Sequence, residues 1–354
     1  MALNPTFWRG RSVLVTGHTG FKGSWLSLWL QQLGAQVSGL SLPPPDGDNL
    51  FEVAQVGKGM DSRLGDLRAP EAVLACVRTT APDVIFHLAA QAQVRPAYAA
   101  PLATWATNVM GTAHLLEAIR QAGHCPKVIV VTSDKCYENR EWQRPYREDD
   151  ALGGFDPYSS SKAAVEILVA SWRRSYPGAF HLATARAGNV IGGGDWSSDR
   201  LIPDLIRAFS HQQPLHLRYP EAIRPWQHVL ESLLGYLLLA QHLDEAPDRF
   251  ASAWNFGPPP EDACSVGDLV QQAAFYWGPD ARVTQTDTPQ PHEAGLLTLD
   301  SQKAINQLGW SNRWNTAQAI RATVDWYREH QQRGDMARYC HHQIEQYLAS
   351  PPTP

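Results

Sequence analysis

Long apolar runs are missing from this chain. The most hydrophobic stretch, Leu233 to Ala240, is far too short to cross a bilayer, so no membrane partner is expected. Met1 to Arg11 hold no apolar segment ahead of a small-residue cleavage site, and no signal peptide is predicted. Cysteine is scarce, with 5 in 354 residues and no C-x-x-C pair. A disulfide framework is therefore not expected, and the reduced thiols of a cytoplasmic protein are the simpler reading. Cys340-His341-His342 lacks a second ligand pair at zinc spacing, so it reads as a polar helical tail and no metal is predicted. Basic charge is also short: Lys plus Arg number 30 against 35 Asp plus Glu, a net charge of −5. That balance argues against a nucleic-acid partner, and any anionic ligand must be gripped by local groups.

What the sequence does hold is 44% hydrophobic residues and a regular alternation of strand and helix patterns. Apolar runs at Ser12 to Thr16, Gln36 to Leu42, Val84 to Ala89, Val128 to Thr132 and His181 to Arg186 read as buried strands, with a further short one ending near Asp66. Helical patterns lie between them, among them Leu102 to Ala122 and Tyr158 to Tyr176. The predicted fold is α/β, a doubly wound parallel Rossmann-type sheet, with a smaller mixed α/β C-terminal substrate domain. Residues 1–190 form the dinucleotide-binding domain, to which a segment near 225–260 returns. Residues 191–354 form the second domain and tail, with helices near Ile202 to His211 and Glu231 to Leu243. Pro351 to Pro354 read as a disordered end.

Gly17, Gly20 and Gly23 stand at i, i+3 and i+6 between the first strand and the first helix. A dinucleotide diphosphate needs that pattern, because it must approach backbone N–H groups at a helix N-terminus where a Cβ would intrude. The acidic residue expected about 20 positions on is absent. Pro43 stands there, with no arginine near it to take a 2′-phosphate, which favours NAD. Asp66-Leu67 can reach the adenine, or Asp66 can cap the helix that Pro70 opens.

Tyr158 and Lys162 stand four apart at a helix start and so share a face. Lowering a tyrosine pKa from 10 to about 7 takes roughly 4 kcal/mol. One cation about 4 Å away supplies about that much at an effective dielectric of about 20. With help from an oxidised nicotinamide, Lys162 can thus make Tyr158 a base. Ligands of open α/β sheets sit beyond the carboxyl ends of the strands, so Gly17, Asp66, Ala89, Ser133 and Asn189 are predicted on one rim.

Four stretches taken together, Gly17 to Leu26, Thr132 to Asn139, Gly188 to Trp196 and Arg224 to Val229, resemble the extended short-chain dehydrogenase/reductase family. Within it they resemble the sugar-nucleotide 4,6-dehydratases, on the branch that acts on CDP-glucose. The resemblance implies an internal redox reaction on a nucleotide-sugar substrate with NAD as cofactor. Tyr158 would deprotonate the C4 hydroxyl while NAD+ takes the C4 hydride, Ser133 would bond the C4 oxygen, and Lys162 would hold the nicotinamide ribose. Asp134 would protonate the leaving C6 hydroxyl. Many relatives carry Glu next as the C5 base, whereas Lys135 stands here, and a lysine base must be buried or crowded by positive charge. Hydride would return to C6, leaving a 4-keto-6-deoxy sugar.

The resemblance also assigns Gly17, Thr19, Gly20, Phe21, Lys22, Gly23, Asp66, Leu67, Ala89, Ala90 and Asn108 to the cofactor cleft. It brings Gln91, Arg95, Asn189, Arg200 and Arg224 to the substrate, and a homodimer or homotetramer is expected. The two long helices, Leu102 to Ala122 and Tyr158 to Tyr176, can pair across a dimer. A nucleotide-sugar 4-epimerase shares Tyr158 and Lys162 without needing an acid at C6. It stays open here, as do a different nucleotide sugar and a non-enzymatic NAD-sensing protein.

Overall fold

In a computed structural model, residues 3–217, 219–285 and 296–353 are described. The longer elements begin with β1 (Ser12–Thr16), α1 (Phe21–Gln32), β2 (Gln36–Ser41), β3 (Asp61–Leu64), α2 (Pro70–Thr80) and β4 (Val84–His87). After them come α3 (Pro101–Trp105), α4 (Gly111–Ala122), β5 (Lys127–Val131), α5 (Pro157–Ser175) and β6 (His181–Ala187). The second half adds α6 (Leu201–Ser210), α7 (Val229–Glu245), β7 (Ala253–Phe256), α8 (Val266–Trp277), α9 (Thr316–Gln331) and α10 (Met336–Ala349). The seven strands form one sheet in the order β7-β6-β5-β4-β1-β2-β3, and every pairing is parallel.

Alternation along the strands explains the two covered faces. Val13, Val15, Phe86, Ile129 and Val131 point to one side, where Trp25 and Trp29 of α1 and the leucines of α7 meet them. Leu14, Ile85, Val128 and Val130 point to the other, against Val73, Leu115, Leu116 and Val165. Helix α7 is buried on all sides from Val229 to Leu243, which its leucine-rich sequence dictates. The register pairs Thr16 with His87, His87 with Val130 and Val131 with Ala185, so the carboxyl ends of the central strands lie level. That level edge holds the site.

The structure alters three details of the sequence reading. Leu102 to Ala122 is not one regular α-helix: a single π turn over Ala106–Met110 separates α3 from α4. The segment around Cys340 is not a polar tail. In α10 Met336, Cys340, Ile344 and Tyr347 are buried against the core, and the Cys340 sulfur accepts a hydrogen bond from Trp326 Nε1 at 3.2 Å. Nor is the end without contacts, since Thr353 N donates to Asn312 O at 2.7 Å; Pro354 lies outside the described residues. Among the described residues, no helix is long and apolar enough to cross a membrane.

Candidate active site

The glycine loop closes tightly on itself and on the end of β4. Gly17 adopts φ +77°, and a Cβ there would lie 2.8 Å from Ala89 N. A Cβ on Gly23 would lie 2.1 Å from Gly17 O. Gly20 caps α1 with no side-chain bond, so the first N–H groups of that helix are left for a ligand. Thr19 Oγ1 donates to Leu42 O at 3.0 Å and lies 2.6 Å from Ser41 Oγ, tying the loop to the end of β2.

Lys22 is half-buried, and its ammonium donates to Tyr236 Oη at 3.3 Å. Burial, followed by the positive fields of Arg200 and Lys162, pushes its pKa down to about 7. Lys22, predicted from sequence to line the cofactor cleft, is held there by a contact with Tyr236, 214 residues away and not legible in the local sequence.

At the adenosine end Asp66 does not cap the following helix, whose N-cap is Ala69. Asp66 instead pairs with Arg68 at 2.6 Å, which holds its carboxyl below the usual range. Arg68 lines the same cleft as Ser41 and Leu42, so an arginine does face this end of the site. The π turn accounts for Asn108. It buries that side chain behind the cleft, where Oδ1 accepts from Gln91 N at 2.7 Å and Nδ2 donates to Gln91 O and to Ser161 Oγ. Asn108 thus shapes the Ala89–Gln91 turn from behind.

Five side chains meet beyond β5 and at the start of α5. Asp156 caps that helix, accepting from the N–H groups of Tyr158 and Ser159, and so fixes the first turn. Tyr158 is buried, and burial outweighs the lowering influence of nearby Ser133 and pushes its pKa up to about 12. The chain by itself therefore does not make Tyr158 a base, because desolvation penalises the phenolate. Lys162 donates to Val131 O at 3.2 Å, and burial pulls its pKa down to about 8. Ser133 Oγ donates to Asp134 Oδ1 at 2.8 Å. Asp134 is buried, and desolvation raises its pKa against the opposing fields of Lys135 and Arg224. An acid with a raised pKa in a closed corner is suited to donate a proton. Lys135 is exposed in the cleft, so the burial a lysine base needs is not supplied by the chain itself.

Of the residues assigned to substrate, Arg200 pairs with buried Asp195 at 2.9 Å and Arg95 with Asp199 at 2.7 Å. Arg224 donates to Ile223 O, and Asn189 accepts at its backbone from Gln227 N. Trp254 is core, and Trp196 packs on Trp326 and Tyr327.

All the site residues predicted from sequence, apart from Asn108 behind the wall, line one cleft of about 1760 Å³. That exceeds the roughly 300–1,000 Å³ of a usual small-molecule pocket and leaves room for two nucleotides.

The family model described as GDP-mannose 4,6 dehydratase matches residues 14–323. The CDP-glucose 4,6-dehydratase of Salmonella typhimurium is 45% identical over 98% of this chain and 99% of its own. Among solved structures, the dTDP-glucose 4,6-dehydratase DesIV of Streptomyces venezuelae, with NAD and TYD bound, superposes with TM-score 0.79 at 23% identity, covering 92% of this chain and 99% of that one. The UDP-glucose-4-epimerase of Stenotrophomonas maltophila, with NAD and formylated UDP-arabinopyranose, gives TM-score 0.80 at 23% identity, covering 92% and 100%. These two likenesses speak to the fold, whereas the family rests on sequence matches that run nearly the whole length. The chain belongs to the GDP-mannose 4,6 dehydratase family, within the extended short-chain dehydrogenases/reductases.

Proposed function

We propose that the protein removes water from C5 and C6 of CDP-glucose, giving a CDP-4-keto-6-deoxy sugar, with NAD+ as a resident cofactor. The observation that carries the reading is the joining of Ser133, Asp134 and Lys135 on one loop beside Tyr158 and Lys162. An epimerase shares Tyr158 and Lys162 but needs no acid at C6, so Asp134 would be spare. The choice of CDP rests on the Salmonella typhimurium relative.

The glycine loop fits a dinucleotide, since Gly17 and Gly23 leave no space for a Cβ. Gly17 to Gly23, Asp66-Leu67 and Ala89-Ala90 would hold the cofactor, and Lys162 its ribose. When bound, NAD+ would supply a hydride acceptor at C4 and a positive charge beside the phenol, and its reduced form would supply a hydride donor at C6. Tyr158 Oη takes the C4 hydroxyl proton, and Ser133 Oγ holds the oxygen as it becomes a ketone. That ketone acidifies the C5 proton, which Lys135 removes once substrate covers the loop. Asp134 protonates the C6 hydroxyl, which leaves as water. Arg95, Arg200 and Arg224, with Gln91 and Asn189, bind the sugar diphosphate in an otherwise acidic protein.

Residues 1–190, joined by 225–260, form the cofactor domain in this reading and the rest the sugar-nucleotide domain. A cytoplasmic location agrees with five free cysteines. A homodimer through α3, α4 and α5 is supported by Leu102 and Ile167, which are 84% and 60% exposed. Light scattering is expected to give twice the chain mass for the parent and a monomer for Leu102→Glu/Ile167→Glu. A parent monomer would refute the dimer.

Gly23→Ala is expected to weaken NAD+ binding roughly ten- to hundredfold, because overpacking of about 1–3 kcal/mol must be relieved by moving the loop. Equilibrium dialysis measures it, and parent-like affinity would count against the cradle. The function itself is tested by a panel of CDP-, dTDP-, UDP- and GDP-glucose assayed for ketone formation. Ketone from CDP-glucose supports it, and 4-epimer without water loss would replace it with the epimerase.

A further inference from the structure

We infer that one buried ion pair, Glu166–Arg186, positions the reactive loop by holding it at both ends. This inference rests on the proposed dehydratase reading for its kinetic consequences, but its geometry stands apart from it.

The reactive residues Ser133, Asp134 and Lys135 sit in a short 3₁₀ turn (Asp134–Cys136) whose internal bonds are long, with Cys136 N to Ser133 O at 3.2 Å and Tyr137 N to Asp134 O at 3.3 Å. So short a turn does not fix itself. Beneath it Glu166 and Arg186 are each 3% exposed and pair at 2.8 Å. Glu166 is one turn after Lys162 on α5, and Arg186 lies near the end of β6.

Each half of the pair reaches one end of the turn. On the N-terminal side Thr132 Oγ1 donates to Glu166 Oε1 at 2.5 Å, fixing the residue just before Ser133. On the C-terminal side Arg186 Nη1 donates to Tyr137 Oη at 2.7 Å, and its guanidinium lies 4.9 Å from that ring's centre. Tyr137 Oη in turn donates to Asn255 Oδ1 on β7 at 2.8 Å. Glu166 also accepts from Arg186 Nε at 2.9 Å and from Thr184 Oγ1 at 2.7 Å, so its lone pairs are well used. A buried pair of this kind is weak evidence for stability on its own account. Its connections give it another use: it joins β5, α5, β6 and β7 under the three residues whose relative positions decide proton transfer. Glu166 and Arg186 are therefore positioning residues, acting through Thr132 and Tyr137.

Two variants cut the staple without leaving a lone buried charge. Thr132→Val frees the Ser133 end, and Tyr137→Phe frees the Lys135 end. Hydrogen exchange of residues 133–136 in the resting holoenzyme is expected to rise about tenfold in each, with α5 unchanged. Parent-like exchange in both would overturn the inference, whether or not the enzyme acts on CDP-glucose. In kinetics with CDP-glucose, Thr132→Val is expected to slow C4 oxidation and Tyr137→Phe to slow C5 deuterium exchange, each about ten- to hundredfold in kcat with KM little changed. A merely structural role would lower both half-reactions together, in step with the folded fraction, and that result would also overturn it. A parent that makes no ketone would sink the dehydratase reading instead, leaving the exchange measurement to decide this one.

Discussion

Tyr158→Phe is expected to lose ketone formation by about 10²- to 10⁴-fold while still binding NAD+. The phenylalanine ring fills the same buried slot, and Lys162 keeps its bond to Val131 O. What disappears is the phenol oxygen that faces Ser133 and would receive the C4 hydroxyl proton. Mixing the variant with CDP-glucose should give no absorbance of reduced nicotinamide, whereas parent-like oxidation would remove Tyr158 from the mechanism. The pH dependence has a definite sign. Burial holds Tyr158 up at about 12 and Lys162 down at about 8. In the proposed mechanism a protonated Lys162 supports the phenolate, so C4 oxidation should weaken as pH rises through about 8 in the free enzyme. A rate that climbs steadily toward the phenol's own value would mean that Lys162 contributes no charge.

Asp134→Asn separates the half-reactions. The C4 proton and hydride can still leave, but the C6 hydroxyl has lost its acid, so water loss should fall about 10²- to 10⁴-fold. Reduced nicotinamide should accumulate on mixing with substrate, and the sugar should keep its C6 oxygen. Desolvation raises the Asp134 pKa, so in the parent this acid stays protonated above the ordinary carboxylate range and is lost as pH rises further. The asparagine variant should lack that limb. Lys135→Ala should behave as a neighbour one step earlier, with C4 oxidation retained and C5 exchange with D2O nearly absent. Full dehydration by either variant would return its residue to the status of a loop side chain.

The central strands were readable because their residues report both faces at once: Val13, Leu14 and Val15 are all apolar, which only a doubly covered parallel sheet requires. Once the strands are known, parallel topology brings their carboxyl ends together, and the glycine loop, Asp66, Ala89, Ser133 and Asn189 fall on one cleft. Features set by contacts between distant segments were not readable. Nothing near Asn108 announces the π turn, because its reason is the Gln91 backbone 17 residues earlier. Arg68, two residues after Asp66, reaches the cleft from the end of β3 and not from the segment around Pro43 that follows β2. The α10 stripe of Met336, Cys340, Ile344 and Tyr347 has helical spacing, but His341 and His342 between them made the segment look polar. The buried charges were hidden for a physical reason. Whether Lys162, Glu166 and Arg186 are solvated or paired depends on what packs over them, which composition does not carry.

One isotope experiment tests the account most directly. CDP-glucose carrying deuterium at C4 is converted by the protein in ordinary water with unlabelled NAD+, and the product is read by NMR. The account predicts one deuterium on the C6 methyl group. Deuterium released to water, or still on C4 of a dehydrated product, would contradict it.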